Sequence, residues 1–180
     1  MAWRATHRRF VRLAWLLPLA FFLQEAEQWN LVAYYQSHFP GGPALSAVHV
    51  RVTMFAAVFI ICLWTRAAMR ARSAPRAAFA ILPLAAIGLL EVLLHAYWAA
   101  HSRGYVPGMV MALTVFGPAS LLLARRAWRD GLVSPAYVVT LVVIILLDFG
   151  WWVIRFEASV TDKMVATERV GAALARLVGQ

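Results

Sequence analysis

Carboxyl, amide and imidazole side chains stand at helical spacing inside segments that are otherwise apolar. Gln24, Glu27 and Gln28 occupy positions i, i+3 and i+4, so they share one face of a helix. Glu91 and His95 occupy i and i+4 and share a face of a second helix. If these two faces meet, Glu27 or Glu91 would be the general acid or base, with His95 as its partner.

The same three catalytic candidates, Glu27, Glu91 and His95, could instead hold a divalent metal ion. Carboxylate and imidazole groups are ligands of zinc and iron, and His49 or His101 could supply a fourth ligand. The single cysteine, Cys62, excludes an internal disulfide and a multi-cysteine metal site. No other cofactor is indicated.

The placement of the acidic residues is the strongest sign of function. Glu25, Glu27, Glu91 and Asp148, four of the eight acidic residues, interrupt or border long apolar segments. A charged side chain near the centre of a bilayer costs roughly 2.5–3.5 kcal/mol on insertion scales, so carboxyls kept there are candidates for a functional site. Glu25 is off the face formed by Gln24 and Gln28, and we expect it to reach only the membrane interface.

A third helical face joins Asp148, Trp152 and Arg155. Asp148 could form an ion pair with Arg155 along the helix or with Arg51 across it, and this structural role is favoured over a catalytic one. Trp152 is more typical of an interface anchor than of a stacking platform. The side chains expected to contact a substrate are Gln24, Gln28, Tyr105, Asp148 and Trp152.

The composition places these residues in a membrane. Of 180 residues, 63% are hydrophobic and 14% are charged, whereas ordinary soluble domains are roughly 45–50% apolar. The mean hydropathy is +0.71. The net charge of +9 does not indicate nucleic-acid binding, because the arginines cluster between apolar segments rather than on one face.

The apolar segments predict an all-α fold, a bundle of about five transmembrane helices, since roughly 20 residues cross a bilayer. The first segment is the weakest, because its uninterrupted apolar run is short, and a signal peptide is the alternative. Residues 1–157 form the predicted bundle, and residues 158–180 form an amphipathic C-terminal tail on the outer side. A solvated, frayed terminus is the alternative for the tail. The five predicted spans are residues 11–35, 45–65, 77–100, 105–124 and 134–155.

Three groups of arginines predict the orientation, because Lys and Arg concentrate on the cytoplasmic side. The groups are Arg4, Arg8, Arg9 and Arg12; Arg66, Arg70, Arg72 and Arg76; and Arg125, Arg126 and Arg129. They predict a cytoplasmic N-terminus. The polar residues of the spans then fall in the outer half of the bilayer, whereas the inner halves contain almost none, which predicts a pocket open to the outer side.

Two motifs resemble the HXXEE family of small bacterial membrane proteins. The stretch from Gln24 to Asn30, followed by Tyr34, Tyr35 and Phe39, is similar to its opening motif. Glu91-x-x-x-His95, followed by Tyr105-Val106-Pro107-Gly108, is similar to its NXXXH motif and the turn after it. The resemblance implies a small polytopic helical bundle in the bacterial inner membrane, with no assigned activity.

The chain departs from this family pattern at three positions. The family histidine falls on Gln24, its second glutamate on Gln28 and its asparagine on Glu91, whereas Glu27 and His95 keep the family type. Relative to a metal site built on the family residues, one imidazole and one carboxylate are lost and one carboxylate is gained. Metal binding is therefore in question.

Two hypotheses about function follow. In the first, the protein is a membrane-embedded isomerase, cyclase or hydrolase that acts on a lipid-like substrate by Glu/His acid–base or metal-assisted chemistry. In the second, the same groups form a structural network in a protein that binds a lipid, an ion or a partner subunit without turnover. A transporter is third, because the inner halves offer no polar path. The expected partners are membrane lipids and a small hydrophobic ligand, with no nucleic acid, and a homo-oligomer could form.

Overall fold

The computed structural model describes residues 9–177, and every regular element in that range is a helix, as predicted. Arg4 and Arg8 of the basic start and residues 178–180 of the predicted tail lie outside it. The helices are α1 (Leu16–Glu27), α2 (Leu31–His38), α3 (Ala47–Met69), α4 (Ala74–Ser102), α5 (Met109–Arg129), α6 (Pro135–Ile154) and α7 (Phe156–Leu177).

Four helices, α3 to α6, are long and apolar enough to cross a membrane. They correspond to the second to fifth predicted spans. The first predicted span, residues 11–35, is helical but interrupted: a turn at Trp15 precedes α1, and the 3₁₀ turn Gln28–Asn30 separates α1 from α2. Each of its pieces is shorter than a bilayer crossing, so this segment is not among the four.

Serine residues begin three of the long helices. The side chains of Ser46, Ser73 and Ser134 accept hydrogen bonds from backbone N–H groups three residues later, at the starts of α3, α4 and α6. An N-cap serine supplies an acceptor for N–H groups that have no partner within the helix. These caps fix where each helix leaves its connecting loop.

Pro83 lies inside α4, where its ring removes a backbone donor. Neighbouring helices compensate. The Tyr137 hydroxyl from α6 donates to the Phe79 carbonyl at 2.8 Å, and the Trp64 indole from α3 donates to the Ala80 carbonyl at 2.9 Å. The proline therefore ties α4 to both neighbours, as expected for proline in a membrane bundle.

A first buried cluster, which we call the alanine-rich core, packs α1, α4 and α5 together. Small side chains let helices approach closely. On α4 it extends from Ala74 to Ala85. Its members are Phe10, Ala14, Leu17, Ala20, Ala68, Ala74, Ala77, Ala78, Ile81, Leu82, Leu84, Ala85, Phe116, Ala119, Leu123, Ala127 and Leu132.

A second buried cluster, the cavity-side core, joins α2, α3 and α7. Its members are Val32, Tyr35, Val50, Met54, Phe156, Val160 and Met164. The predicted amphipathic tail is present as α7, and its buried face packs across the start of α3.

Polar contacts and one close approach hold α7 on α3. Thr53 Oγ1 donates to the Thr167 carbonyl at 2.6 Å, and His49 Nδ1 lies 2.7 Å from Glu168 Oε1. Gly171 approaches the His49 carbonyl so closely that a Cβ there would collide with it. The tail is therefore packed against the bundle, and it is helical as far as Leu177.

Candidate functional site

The two predicted polar faces meet where α1 ends beside α4. Gln24 Nε2 donates to Glu91 Oε2 at 3.4 Å, and Gln28 Nε2 lies 3.3 Å from His95 Nε2. Both glutamines and His95 are buried. The helical spacing thus brings two amides of one helix to the carboxylate and imidazole of the other.

The hydrogen bonds of His95 fix which ring nitrogen holds the proton. His95 Nδ1 lies 2.8 Å from the Glu91 carbonyl oxygen, which can only accept, so Nδ1 donates. The lone pair of Nε2 then accepts from the Gln28 amide. The arrangement is that of a neutral imidazole with both nitrogens engaged.

A residue from the far end of the chain completes this group. Lys163 of α7 places Nζ 3.1 Å from Glu91 Oε1, so the ammonium and the Gln24 amide hold one carboxylate oxygen each. The Glu91 side chain is 15% exposed and that of Lys163 is 49% exposed. Lys163 is the only lysine in the chain, among 17 basic Lys and Arg residues.

These side chains line a cavity of about 220 Å³ between α1, α3, α4 and α7. Glu25, Gln28, Glu91, His95 and Lys163 face it. Its remaining walls are mostly apolar or aromatic and include Phe21, Met54, Leu94, Trp98, Trp152, Phe156 and Met164. A small group of polar atoms in an apolar cavity is the usual composition of a ligand site.

Glu25 and Met54 also line a second hollow, a groove of about 190 Å³ between α1 and α3. The groove is bordered by Phe22, Trp29 and Phe55, each more than 40% exposed on the side of the bundle. These two residues therefore stand between the cavity and the membrane-facing surface. The sequence predicted that Glu25 reaches only the membrane interface, whereas in the structure it lines both the cavity and the groove.

Glu27 does not face the cavity. Its Oε1 accepts from the Tyr105 hydroxyl at 2.7 Å and from the Val110 N–H at 3.2 Å, and its Oε2 accepts from the Met111 N–H at 2.7 Å. The carboxylate thus caps the start of α5, where unpaired N–H groups favour a negative charge. Partial burial and the hydrogen bond to Glu27 raise the pKa of Tyr105 to about 12.

Helix geometry explains why Glu27 and Gln28 have different neighbours. Successive residues are rotated by about 100°, so a face wide enough for i, i+3 and i+4 borders more than one helix. Gly108, at φ +90°, packs its backbone directly against Gln28 and His95. A Cβ at this position would lie 2.5 Å from Gln28 Nε2 and 2.8 Å from His95 Nε2. Only a glycine fits at that point.

The predicted metal ligands are not assembled into one centre. Within residues 9–177, no group of three or more His, Cys, Asp or Glu side chains is arranged to hold a metal ion. Glu27 bonds to the α5 N–H groups. Of the two suggested fourth ligands, His49 pairs with Glu168, and His101 lies against the Phe156 ring and does not line the cavity. The residues therefore do not fit a metal site, and we derive no metal-assisted step.

Asp148 and its expected arginine partners are apart. Arg155 pairs with Asp162 at 3.8 Å, and Arg51 donates to the Trp29 carbonyl and lies over the Trp29 ring. Asp148 is exposed on α6, and no ion pair joins it to either arginine in the described part of the chain.

Trp152, one turn along α6 from Asp148, lines the cavity. The Lys163 ammonium lies 5.7 Å from the centre of its ring. Of the expected substrate contacts, Gln28 and Trp152 thus reach the cavity, Gln24 supports Glu91 from behind, Tyr105 contacts Glu27, and Asp148 lies outside.

Two cavity residues were missed by reasoning from the sequence. Glu25 was set aside because it is off the Gln24 and Gln28 face, although its 100° offset points it toward α3. Lys163 falls in the predicted amphipathic tail, to which the sequence assigns no part of the site. Its signal was its type, since a chain that otherwise uses arginine for positive charge uses lysine once.

Comparison with known proteins gives one match. Residues 15–123 match the family described as "Protein of unknown function with HXXEE motif". This range contains Gln24, Glu27, Gln28, Glu91 and His95 and ends before α7. No curated protein matches the chain, and no solved structure does.

Proposed function

Because the chain belongs to the HXXEE family, whose function is unknown, we propose a function from the cavity itself: the protein is a membrane-embedded enzyme that transfers a proton on a lipid-like substrate. Glu91 is the acid–base group and His95 is its partner. One observation carries this proposal. In a mostly apolar cavity, a carboxylate, an imidazole and an ammonium converge at one end.

The two hydrogen bonds to Glu91 keep it ionised and fix its orientation. Lys163 and Gln24 donate to its two oxygens, which favours the carboxylate form, the form that can accept a proton from a ligand. His95 Nδ1 lies 3.5 Å from Glu91 Oε2, so the imidazole positions this carboxylate for proton transfer. Isomerisation or cyclisation of a double-bonded lipid needs such a transfer, and hydrolysis needs a water molecule in addition.

The neighbouring groove supports a lipid-like substrate. A hydrophobic molecule dissolved in the bilayer would reach the groove between α1 and α3 first, and Glu25 and Met54 separate the groove from the cavity. Met54 has a flexible side chain, which suits a residue that must move aside. A route from the side of the bundle removes the need for the substrate to enter water.

A topology of five crossings is part of this proposal. Residues 9–38 are helical apart from the turn at Trp15 and the 3₁₀ turn Gln28–Asn30, and at about 1.5 Å per residue they extend about 45 Å. This length exceeds a hydrocarbon core of about 30 Å, so we propose this segment as the fifth crossing, beside α3 to α6. With the arginine groups on the cytoplasmic side, the cavity and α7 lie in the outer half of the bilayer. The family resemblance supports the bacterial inner membrane as the location.

Binding without turnover is the second candidate function. Both nitrogens of His95 and both carboxylate oxygens of Glu91 already have partners, which is typical of a structural network that fixes helix register. The protein would then hold a lipid, an ion or a partner subunit without changing it.

Proton transfer separates the two candidates. Lipid extract from the host membrane is incubated with purified protein in D₂O. The product should carry one carbon-bound deuterium in place of hydrogen, detected by mass spectrometry. Glu91→Gln should abolish deuterium uptake while retaining bound lipid. Glu168→Gln is the matched control, because Glu168 of α7 is a partly buried carboxylate that pairs with His49 of α3, outside the cavity. If the wild type binds lipid but the lipid takes up no deuterium, the enzymatic proposal is wrong and the binding function is favoured.

A further inference from the structure

Glu25 is the cavity carboxylate without a partner. Its Oε2 is buried and accepts no hydrogen bond from any described residue, whereas both oxygens of Glu91 accept one. A buried polar atom left unpaired costs roughly 1–3 kcal/mol, more for a charged group, so such an atom in a ligand cavity indicates a missing donor. The side-chain oxygen of Gln24, next to Glu91, is also buried and unpaired. Both unpaired atoms are acceptors.

The cavity contains more carboxyl groups than cationic groups. Glu25 and Glu91 contribute two carboxyls, Lys163 contributes one ammonium, and the hydrogen bonds of His95 are those of a neutral ring. Arg51 borders the groove beyond Glu25, but its guanidinium donates to the Trp29 carbonyl and stacks on the Trp29 ring. The lysine is already bonded to Glu91, so Glu25 lacks a cation of its own.

The cavity walls suit a positive charge. Trp98 and Trp152 face the cavity together with Phe21 and Phe156. The faces of aromatic rings attract cations, and tryptophan does so most strongly. The Lys163 ammonium, 5.7 Å from the Trp152 ring, already uses this property.

We propose that the ligand of this cavity is a hydrophobic molecule with a positively charged end, such as a lipophilic amine, and that Glu25 is its counter-ion. This inference rests on the proposed function and names its substrate class. The ammonium would lie between Glu25 and the tryptophan rings, and its N–H groups would satisfy the unpaired oxygen. The hydrocarbon part would extend along Met54 toward the groove.

Three compounds of equal chain length test the inference: octyltrimethylammonium, octylamine and octanol, with octanoate as the anionic comparison. Their dissociation constants for the full-length protein in nanodiscs are measured by titration calorimetry, with empty nanodiscs subtracted. We expect both cations to bind at least tenfold more tightly than octanol, and octanoate to bind most weakly. Octylamine should bind more tightly than octyltrimethylammonium, because only octylamine has N–H groups that can donate to the unpaired oxygen.

Variants identify the counter-ion. Glu25→Gln should reduce the affinity for octylamine to that for octanol and leave octanol binding unchanged, whereas Glu168→Gln should change neither. If Glu25→Gln does not fold, the wild-type order of affinities still decides. Equal affinities for cation, alcohol and anion would overturn the inference and leave the proposed function standing. Binding of octanoate in preference to the cations would overturn it in favour of Lys163, and no binding of any compound would overturn both.

Discussion

Helix α4 packs within the alanine-rich core at its start and against the cavity-side core at its end, and these two cores are built differently. From Ala74 to Ala85 it packs in the alanine-rich core with small and branched apolar side chains. From Glu91 to Trp98 it borders the cavity, where the facing side chains of the cavity-side core are longer and include Met54, Met164 and Phe156. Small residues bring the helices together, whereas long and aromatic ones leave space between them. One helix thus provides stability at one end and room for a ligand at the other.

Each of the two cores has a glycine at a point where two helices approach closely. Gly88 lets α4 approach Phe116 and Ser120 of α5, and Gly171 lets α7 approach the backbone of α3 at His49. In the first case a side chain would have to move to admit a Cβ, and in the second the backbone would. The two positions therefore test the two cores separately.

Gly171→Ala should have the largest effect. The added Cβ would overlap the His49 carbonyl group, which cannot shift without moving α3, so the docking of α7 should lose about 3 kcal/mol. Limited proteolysis with trypsin should cut at the exposed Arg169 or Arg176 at least tenfold faster than in the wild type. Gly150→Ala is the control, since nothing lies within 4 Å of its Cβ position. Unchanged proteolysis of Gly171→Ala would contradict the close packing of α7.

Gly88→Ala should be next, with a loss of about 2 kcal/mol in the free energy of unfolding. Here the added atom meets the Ser120 hydroxyl and the Phe116 ring, which can relax in part. The denaturant midpoint should fall, whereas trypsin cleavage at Arg169 of the folded protein should match the wild type. Faster cleavage of α7 in this variant would mean that the two cores are not independent.

Glu27→Gln should cost about 1 kcal/mol, the usual contribution of a side chain that caps a helix start. The variant keeps an acceptor but loses the negative charge at the start of α5. Thermal unfolding measures the loss, and octylamine affinity provides the contrast, because Glu27 lies outside the cavity and binding should not change. A fall in octylamine affinity comparable to that of Glu25→Gln would place Glu27 in the site after all.

Tyr105→Phe should have the smallest effect, about 0.5 kcal/mol near neutral pH, because the side chain is 52% exposed and its hydrogen bond to Glu27 is partly screened by water. The pKa of Tyr105 is raised from 10.0 to about 12. The raised value means that the stabilising contribution is complete below pH 10 and disappears as the pH rises through 12. The difference in unfolding free energy between wild type and variant, followed from pH 9 to pH 12, should therefore shrink progressively above pH 10 and be mostly lost by pH 12. A difference that stays constant over this range would contradict the bond.

Local features of the sequence predicted the bundle well. Apolar length identifies α3 to α6, and the i, i+4 spacing puts Gln24 and Gln28 on one helix face and Glu91 and His95 on another, because both patterns depend only on neighbouring residues. The interruption near Gln28 was not predictable from hydropathy, since Gln28, Trp29 and Asn30 are also acceptable in a helix. The contacts of Glu27 could not be predicted, because they depend on where α5 begins in space.

The cavity itself depends on contacts between distant parts of the chain. Lys163 and Glu91 are 72 residues apart, and only the return of α7 across α3 brings them together. The charges of the tail, considered alone, are typical of a solvated helix. The residue type at position 163 was the available signal, since the spacing of the tail gave none. An arginine there would present a planar, permanently charged group, whereas lysine presents a compact ammonium.

The solitary lysine has a practical consequence. Apart from the α-amino group, an acylating reagent finds one amine in this chain, and that amine borders the cavity. Its rate of acylation, followed by intact mass, therefore reports on the occupancy of the cavity without any introduced label. The chain contains its own chemical sensor for whatever molecule it holds.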